Sequence, residues 1–188
     1  MKKGIVLTVK TVLVSLSLFF ASCSQPTEVE KITFLEKRIF TGEDSVVDLY
    51  LREKGDAHGG AFFSRTDSAR TYGIGTMYFI NDTTLNKDLR VKINMWVRSN
   101  VAAPGASYAV ALHEGDKVIG WYEIKMDKHV TEPNKWINVT DSVTIPGTLI
   151  SKPGLIVKAF SFNTTKNVVL DGDDLELSFS NVKKEFVE

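Results

Sequence analysis

Between Val91 and Arg98 apolar and polar side chains alternate without a break, Val91, Ile93, Met95 and Val97 against Lys92, Asn94, Trp96 and Arg98. Successive side chains of an extended backbone point to opposite faces, so this run is a strand with one face in a core and the other outside. A helix of the same residues would scatter both classes around its circumference. The pattern recurs. Tyr108, Val110 and Leu112 alternate, and His113-Glu114-Gly115-Asp116-Lys117 is a hairpin turn leading into a strand over 118–126. Residues 136–145, 155–162 and 168–179 continue the series, separated by Pro-Gly and Asn-rich breaks such as Ile145-Pro146-Gly147 and Lys152-Pro153-Gly154. Beyond the N-terminal segment no stretch carries an amphipathic helical period. Eight or more strands without crossover helices exclude a parallel α/β fold and predict an all-β protein, an antiparallel β-sandwich. No self-similarity at 20–50 residues points to a propeller or solenoid.

The N-terminus has a different character. Met1-Lys2-Lys3 is a basic start, TVLVSLSLFF over residues 11–20 is an apolar run, and Ala21 and Ser22 are small residues before Cys23, the one cysteine of the chain. That is the layout of an export signal, and Lys10 leaves the run too short for a spanning helix. A lone cysteine in an exported protein can form no internal bridge and calls for another role. Phe20-Ala21-Ser22-Cys23 resembles the bacterial lipobox, which implies cleavage after residue 22 and acylation of Cys23. Two or three acyl chains hold a protein on a bilayer without a spanning segment. Ser24 in the next position is unlike the Asp associated with inner-membrane retention, so the expected location is the outer membrane of the cell envelope, with the leaflet open. The expected organisation is a signal peptide over 1–22, a lipidated tether over 23–30 and one domain over 31–188. About 165 residues remain after cleavage, enough for one well-buried core.

Loss of Lys2, Lys3 and Lys10 with the signal lowers the formal charge from zero to about −3. With no basic stripe interleaved with aromatics, nucleic acid is not an expected partner.

A family resemblance runs over about residues 34–182. His58-Gly59-Gly60-Ala61-Phe62-Phe63-Ser64-Arg65, then Tyr72-Gly73-Ile74-Gly75, residues 89–100 (LRVKINMWVRSN), residues 134–139 (NKWINV) and residues 168–177 are similar, in order, to the strands of galactose-binding-like jelly rolls of the carbohydrate-binding-module type. The resemblance implies a jelly roll that binds carbohydrate on a sheet face or at loops of one end. It also implies a structural calcium near Asp171 and Asp174, with Asp56 approaching from the other side; a solvated Asp-rich turn is the alternative. Asp171-Gly172-Asp173-Asp174 departs from the family pattern by what looks like an inserted residue.

Trp96, Trp121 and Trp136 fall on the polar phase of their strands, beside Asn94 and Arg98, Glu123 and Lys125, and Asn138 and Thr140. A flat ring among hydrogen-bonding neighbours suits a sugar, whose C–H face stacks while its hydroxyls pair. Trp121 with Tyr122 is the preferred ligand pair, and Trp96 and Trp136 are the aromatics that in the resembled family serve structure more often. The alternative is that the three indoles cover the flanks of the sandwich. His58, His113 and His129 lie at no metal-ligand spacing, and no nucleophile elbow, phosphate loop or dinucleotide fingerprint occurs, so no enzymatic activity is expected, with a glycoside hydrolase, which needs only two carboxylates brought together by the fold, as the alternative. Asp44-Ser45-Val46, Asp67-Ser68-Ala69, Asp82-Thr83-Thr84 and Asp141-Ser142-Val143 resemble the O-glycosylation motif of exported proteins in some Gram-negative bacteria, which marks Ser45, Ser68, Thr83 and Ser142. The expectation from sequence is a non-catalytic envelope lipoprotein that binds carbohydrate, or else a structural or protein-interaction subunit of an envelope assembly.

Overall fold

The computed structural model describes residues 27–43 and 52–187. The export segment, Cys23 and Ser45 lie outside the described residues.

The strand with the cleanest alternation, β5 (Asp88–Ser99), lies inside a sheet and buries Leu89, Val91, Ile93, Met95 and Val97 completely. Its neighbours are β8 (Ile137–Ile145) and the long β10 (Leu170–Val187). Beyond β10 come β3 (Phe62–Thr66) and β2 (Arg52–Lys54), while β1 (Thr27–Phe40) pairs with the C-terminal part of β10, completing a six-stranded sheet. The second sheet has four strands in the order β4 (Tyr72–Phe79), β9 (Ile156–Phe162), β6 (Ser107–Glu114) and β7 (Lys117–Lys125). Every pairing among the described residues is antiparallel and most sheet neighbours are distant in sequence, as in a jelly roll. Two single-turn 3-10 segments, Met126–Lys128 and Gly147–Leu149, are the helical elements among the described residues.

The two sheets face each other through their apolar phases. Tyr108, Val110 and Leu112 of β6 and Ile74 and Tyr78 of β4 meet the β5 row and Leu175, Leu177 and Phe179 of β10 in one core cluster. Tyr78 stacks on Phe179 across the gap, centroids 4.5 Å apart and planes 14° from parallel. Each fully buried Leu, Ile or Phe in such a core contributes about 1.5–3 kcal/mol. The expected hairpin joins β6 to β7 through Gly115, whose φ of +57° suits the tight turn.

Two features depart from the sequence pattern. The extra residue in the Asp-rich element is a β-bulge between Asp173 and Glu176, with Asp174 at φ +47°. Before the bulge Leu170 and Gly172 point inward, and after it Leu175, Leu177 and Phe179 do; one added residue restores the phase that the intervening count would lose. Residues 27–30, expected to belong to a tether, lie in β1, which begins at Thr27 and pairs there with Val187. Rungs from Thr27 to Lys31 extend beyond Val182, the last residue of β10 that also pairs with β5, so β1 and β10 continue there as a two-stranded ribbon, tied to β5 through Glu30 and Arg90.

Candidate functional site

The outer face of the four-stranded sheet is built in rungs. One runs Gly75, Phe160, Ala109, Glu123 across β4, β9, β6 and β7; the next runs Met77, Lys158, Ala111, Trp121; the next joins Phe79, Ile156, His113 and Val118. Strand β6 offers only alanine to this face in its middle, yet Ala109 and Ala111 are wholly inaccessible. Large side chains from both flanking strands close over them. Trp121 meets Phe160 and Phe162 edge to face, centroids 5.9 and 5.3 Å apart, and Tyr72 meets the same two phenylalanines at 5.4 and 5.6 Å. These are the offsets that ring quadrupoles favour.

An open groove of about 660 Å³ lies against this platform, with Tyr72, Met77, His113, Trp121, Lys158 and Phe160 in its lining and no Asp or Glu among the described residues that line it. Trp121 is 42% exposed and Tyr72 58%, so both rings offer surface to a ligand. The Trp121 Nε1–H donates to Glu123 Oε1 at 3.0 Å, which fixes the rotation of the indole. His113 Nδ1 is buried without a hydrogen-bond partner, and burial, reinforced by the charge of Lys158 and opposed by Asp116, holds its imidazole below the usual histidine range. Lys158 is half-buried and has no carboxylate partner among the described residues.

The other expected aromatics go elsewhere. Tyr122 does not share the face of Trp121: neighbours on a strand point apart, and Tyr122 packs against the core. Trp96 and Trp136 belong to the opposite, six-stranded sheet. His58 stacks on Trp96 with centroids 3.8 Å apart and planes 13° from parallel, so one face of that indole is already covered. Trp136 lies under the Arg98 guanidinium at 4.6 Å and donates its Nε1–H to the Asp56 carbonyl. These two indoles pin the 52–61 segment to the sheet, the covering role given as the alternative.

The calcium expectation does not fit the donor set. Asp171 is nearly inaccessible and is held by two guanidiniums, from Arg65 at 2.7 and 3.1 Å and from Arg98 at 3.0 Å, while Asp56 pairs with Arg98 at 2.8 Å. The hydrogen bonds that Arg65 donates to Asp171 hold its guanidinium above its ordinary range. Asp174 pairs with His58 Nδ1 at 2.8 Å, and Asp173 accepts backbone N–H bonds from Gly42, His58, Gly59 and Asp174. Calcium needs six to eight oxygens around one point. Here the oxygens are committed to cations and amides, and among the described residues no group of three or more His, Cys, Asp or Glu can hold a metal.

Of the modification motifs, Ser68, Thr83 and Ser142 are exposed. Ser68 sits in a turn where Asp67 Oδ1 accepts the N–H groups of Ala69 and Arg70.

The sequence singles out Trp121 but not the residues the sheet gathers around it, Tyr72, Phe160, Phe162 and Lys158. A signal was present: Ser107, Ala109 and Ala111 occupy the outward phase of β6, and small residues at sites where a solvated strand would carry large polar ones mark a surface covered by its neighbours.

No family model and no curated protein matches this chain. Among solved structures, the cyclase FisC from Fischerella sp. TAU is similar over 92% of this chain and 82% of its own, at 16% identity and a TM-score of 0.36. The C-terminal CBM6 module of LamC, a marine laminarinase from Zobellia galactanivorans, is similar over 76% of this chain and 99% of its own, at 13% identity and a TM-score of 0.35. A CBM4 structure is similar over 80% and 94%, at 10% identity and a TM-score of 0.31.

Proposed function

We propose that this chain is a non-catalytic carbohydrate-binding lipoprotein, anchored in the outer membrane of the cell envelope by acylated Cys23, and that it takes a glycan into the groove beside Trp121. The observation that carries the reading is the aromatic platform over the alanine floor of β6. A solvated sheet face has no use for Tyr72, Trp121, Phe160 and Phe162 gathered in one place, and a face that only needed covering would not leave Trp121 and Tyr72 open. Stacking supplies affinity to the apolar face of a sugar ring, and Thr76 and Lys158 in the groove lining supply polar groups for its hydroxyls.

Glycan-array binding followed by titration calorimetry tests this. Trp121→Ala is expected to lower affinity about tenfold or more with the fold intact by circular dichroism, since an exposed stacking ring contributes about 1–2 kcal/mol. Chelator is expected to change neither binding nor melting temperature, because the Asp-rich cluster is satisfied by Arg65, Arg98 and backbone amides. Unchanged affinity in Trp121→Ala removes the groove from the site.

A protein-interaction role has one observation of its own. Ile32 and Phe34 of β1 and Phe186 near the end of β10 are 55%, 61% and 68% exposed, and the outer edge of β1 is unpaired among the described residues. An empty glycan array together with a stable envelope complex lost in Phe34→Ser would favour that reading.

A further inference from the structure

The groove lining is aromatic and holds one Lys or Arg among the described residues, Lys158. Lys158 stands in the same rung as Trp121, two strands away with Ala111 between them. Adjacent strands lie about 4.8 Å apart, so the two backbones are about 10 Å apart, a span that a stacked sugar ring and its exocyclic substituent can bridge. Lysines on solvated sheets are normally exposed or paired; this one is half-buried beside apolar rings and faces no carboxylate in the groove. His113 lies diagonally next to it, one rung on. Its buried Nδ1 has no acceptor to donate to. An orphaned buried lone pair costs less than an orphaned buried N–H, so the neutral ring carries its hydrogen on Nε2, which leaves that nitrogen as the donor toward a ligand.

Resting on the carbohydrate reading above, we infer that the groove selects an acidic glycan, a uronate whose ring stacks on Trp121 and whose carboxylate is bound by the Lys158 ammonium. The groove lining holds two donors one rung apart, Lys158 Nζ and the His113 imidazole, and a carboxylate has two oxygens; a sulfate ester presents three. The groove lining has no acid to repel the ligand. In a partly desolvated groove a charge-assisted hydrogen bond is about twice as strong as a neutral one, so the selectivity is expected to be large enough to read directly. Of the acids around it, Asp116 of the turn acts on His113, and Glu123 accepts from the indole N–H and from Ser107 Oγ.

The experiment is calorimetric titration of the purified domain, residues 24–188, with oligogalacturonate and with the same oligosaccharide after its carboxyl groups have been reduced to alcohols. Wild type is expected to bind the acid form about tenfold or more tightly than the reduced form at low salt. Lys158→Gln is expected to abolish the difference while keeping the weaker binding of the reduced form, and Lys158→Arg to preserve the preference. Trp121→Ala is expected to weaken both forms. Equal affinity of the two forms in wild type overturns the acidic-glycan inference and leaves carbohydrate binding standing. Binding of neither form, with neutral glycans bound on an array, likewise overturns the inference alone; an array with no binding at all overturns both. Tighter binding of a sulfated neutral oligosaccharide than of the uronate overturns the assignment to a carboxylate. If Lys158→Gln does not fold, preference for the reduced form in Lys158→Arg serves as the overturning result.

Discussion

The Tyr108 hydroxyl is fully enclosed in the core and has no hydrogen-bond partner, and burial drives its pKa far above the ordinary phenol value. A hydroxyl taken from water without replacement costs about 1–3 kcal/mol, against which the ring contributes its apolar area. Tyr108→Phe is therefore expected to unfold at equal or higher urea concentration, with a gain of up to about 1 kcal/mol. A loss of that size would mean that the hydroxyl is bonded to internal water. His113 supplies the pH dependence. Its folded pKa lies below the ordinary 6.5, with Lys158 of β9 pushing the same way as burial and Asp116 of the turn opposing them. On acidification the unfolded chain takes up this proton first. The His113 contribution is thus complete above pH 6.5, declines as pH falls through the window beneath it, and levels off once the folded form is also protonated. Denaturation midpoints compared for wild type and His113→Gln across pH 7.5 to 4.5 should diverge only in that window.

At the scale of the element, strand alternation was legible because it has a single physical cause. Val91, Ile93, Met95 and Val97, and Tyr108, Val110 and Leu112, sit where their phase puts them, and the Gly115 hairpin lies where its turn residues place it. The bulge in β10 was visible only as a surplus residue, because an insertion in a sequence does not say whether the chain absorbs it in a loop or kinks a strand. Trp121 was legible and Tyr122 was mispaired with it, since adjacency along a strand means opposite faces. The pairing of the Asp-rich element was hidden for a different reason: carboxylates in a row are visible in sequence, whereas Arg65 and Arg98, which neutralise Asp171, reach it from other strands. Lys158 was missed because its partner in the groove is two strands and 37 positions away in the chain, a relation that exists only after the sheet has formed. The bulge makes its own prediction. Deleting Asp174 removes the residue that keeps Gly172 and Leu175 both inward, so one half of β10 must turn its core side chains outward. The variant is expected to lose cooperative thermal unfolding altogether, while Asp174→Gly, which keeps the count and relaxes the φ of +47°, should remain folded.

For the whole molecule, sandwich, groove and anchor are separate modules of the proposal and can be examined separately. Expressed in a host that processes lipoproteins, the chain is expected to lose residues 1–22 and gain acyl mass at Cys23. Any further hexose-sized increments should map to peptides containing Ser45, Ser68, Thr83 or Ser142. An intact mass matching the uncleaved, unmodified chain would remove both the anchor and the modification.

The ribbon formed by β1 and the end of β10 bears on what such an anchor would do. Its five rungs past Val182 span about 17 Å, cross-braced by Lys184 with Glu28. Only three residues separate Cys23 from Thr27. A protein mounted this way is on a strut rather than a leash: the ribbon sets a standoff height and narrows the arc through which the groove can swing. Capture then favours polymers that pass at that altitude above the lipid, and lengthening the strut would change which chains are reached without altering a single contact in the groove.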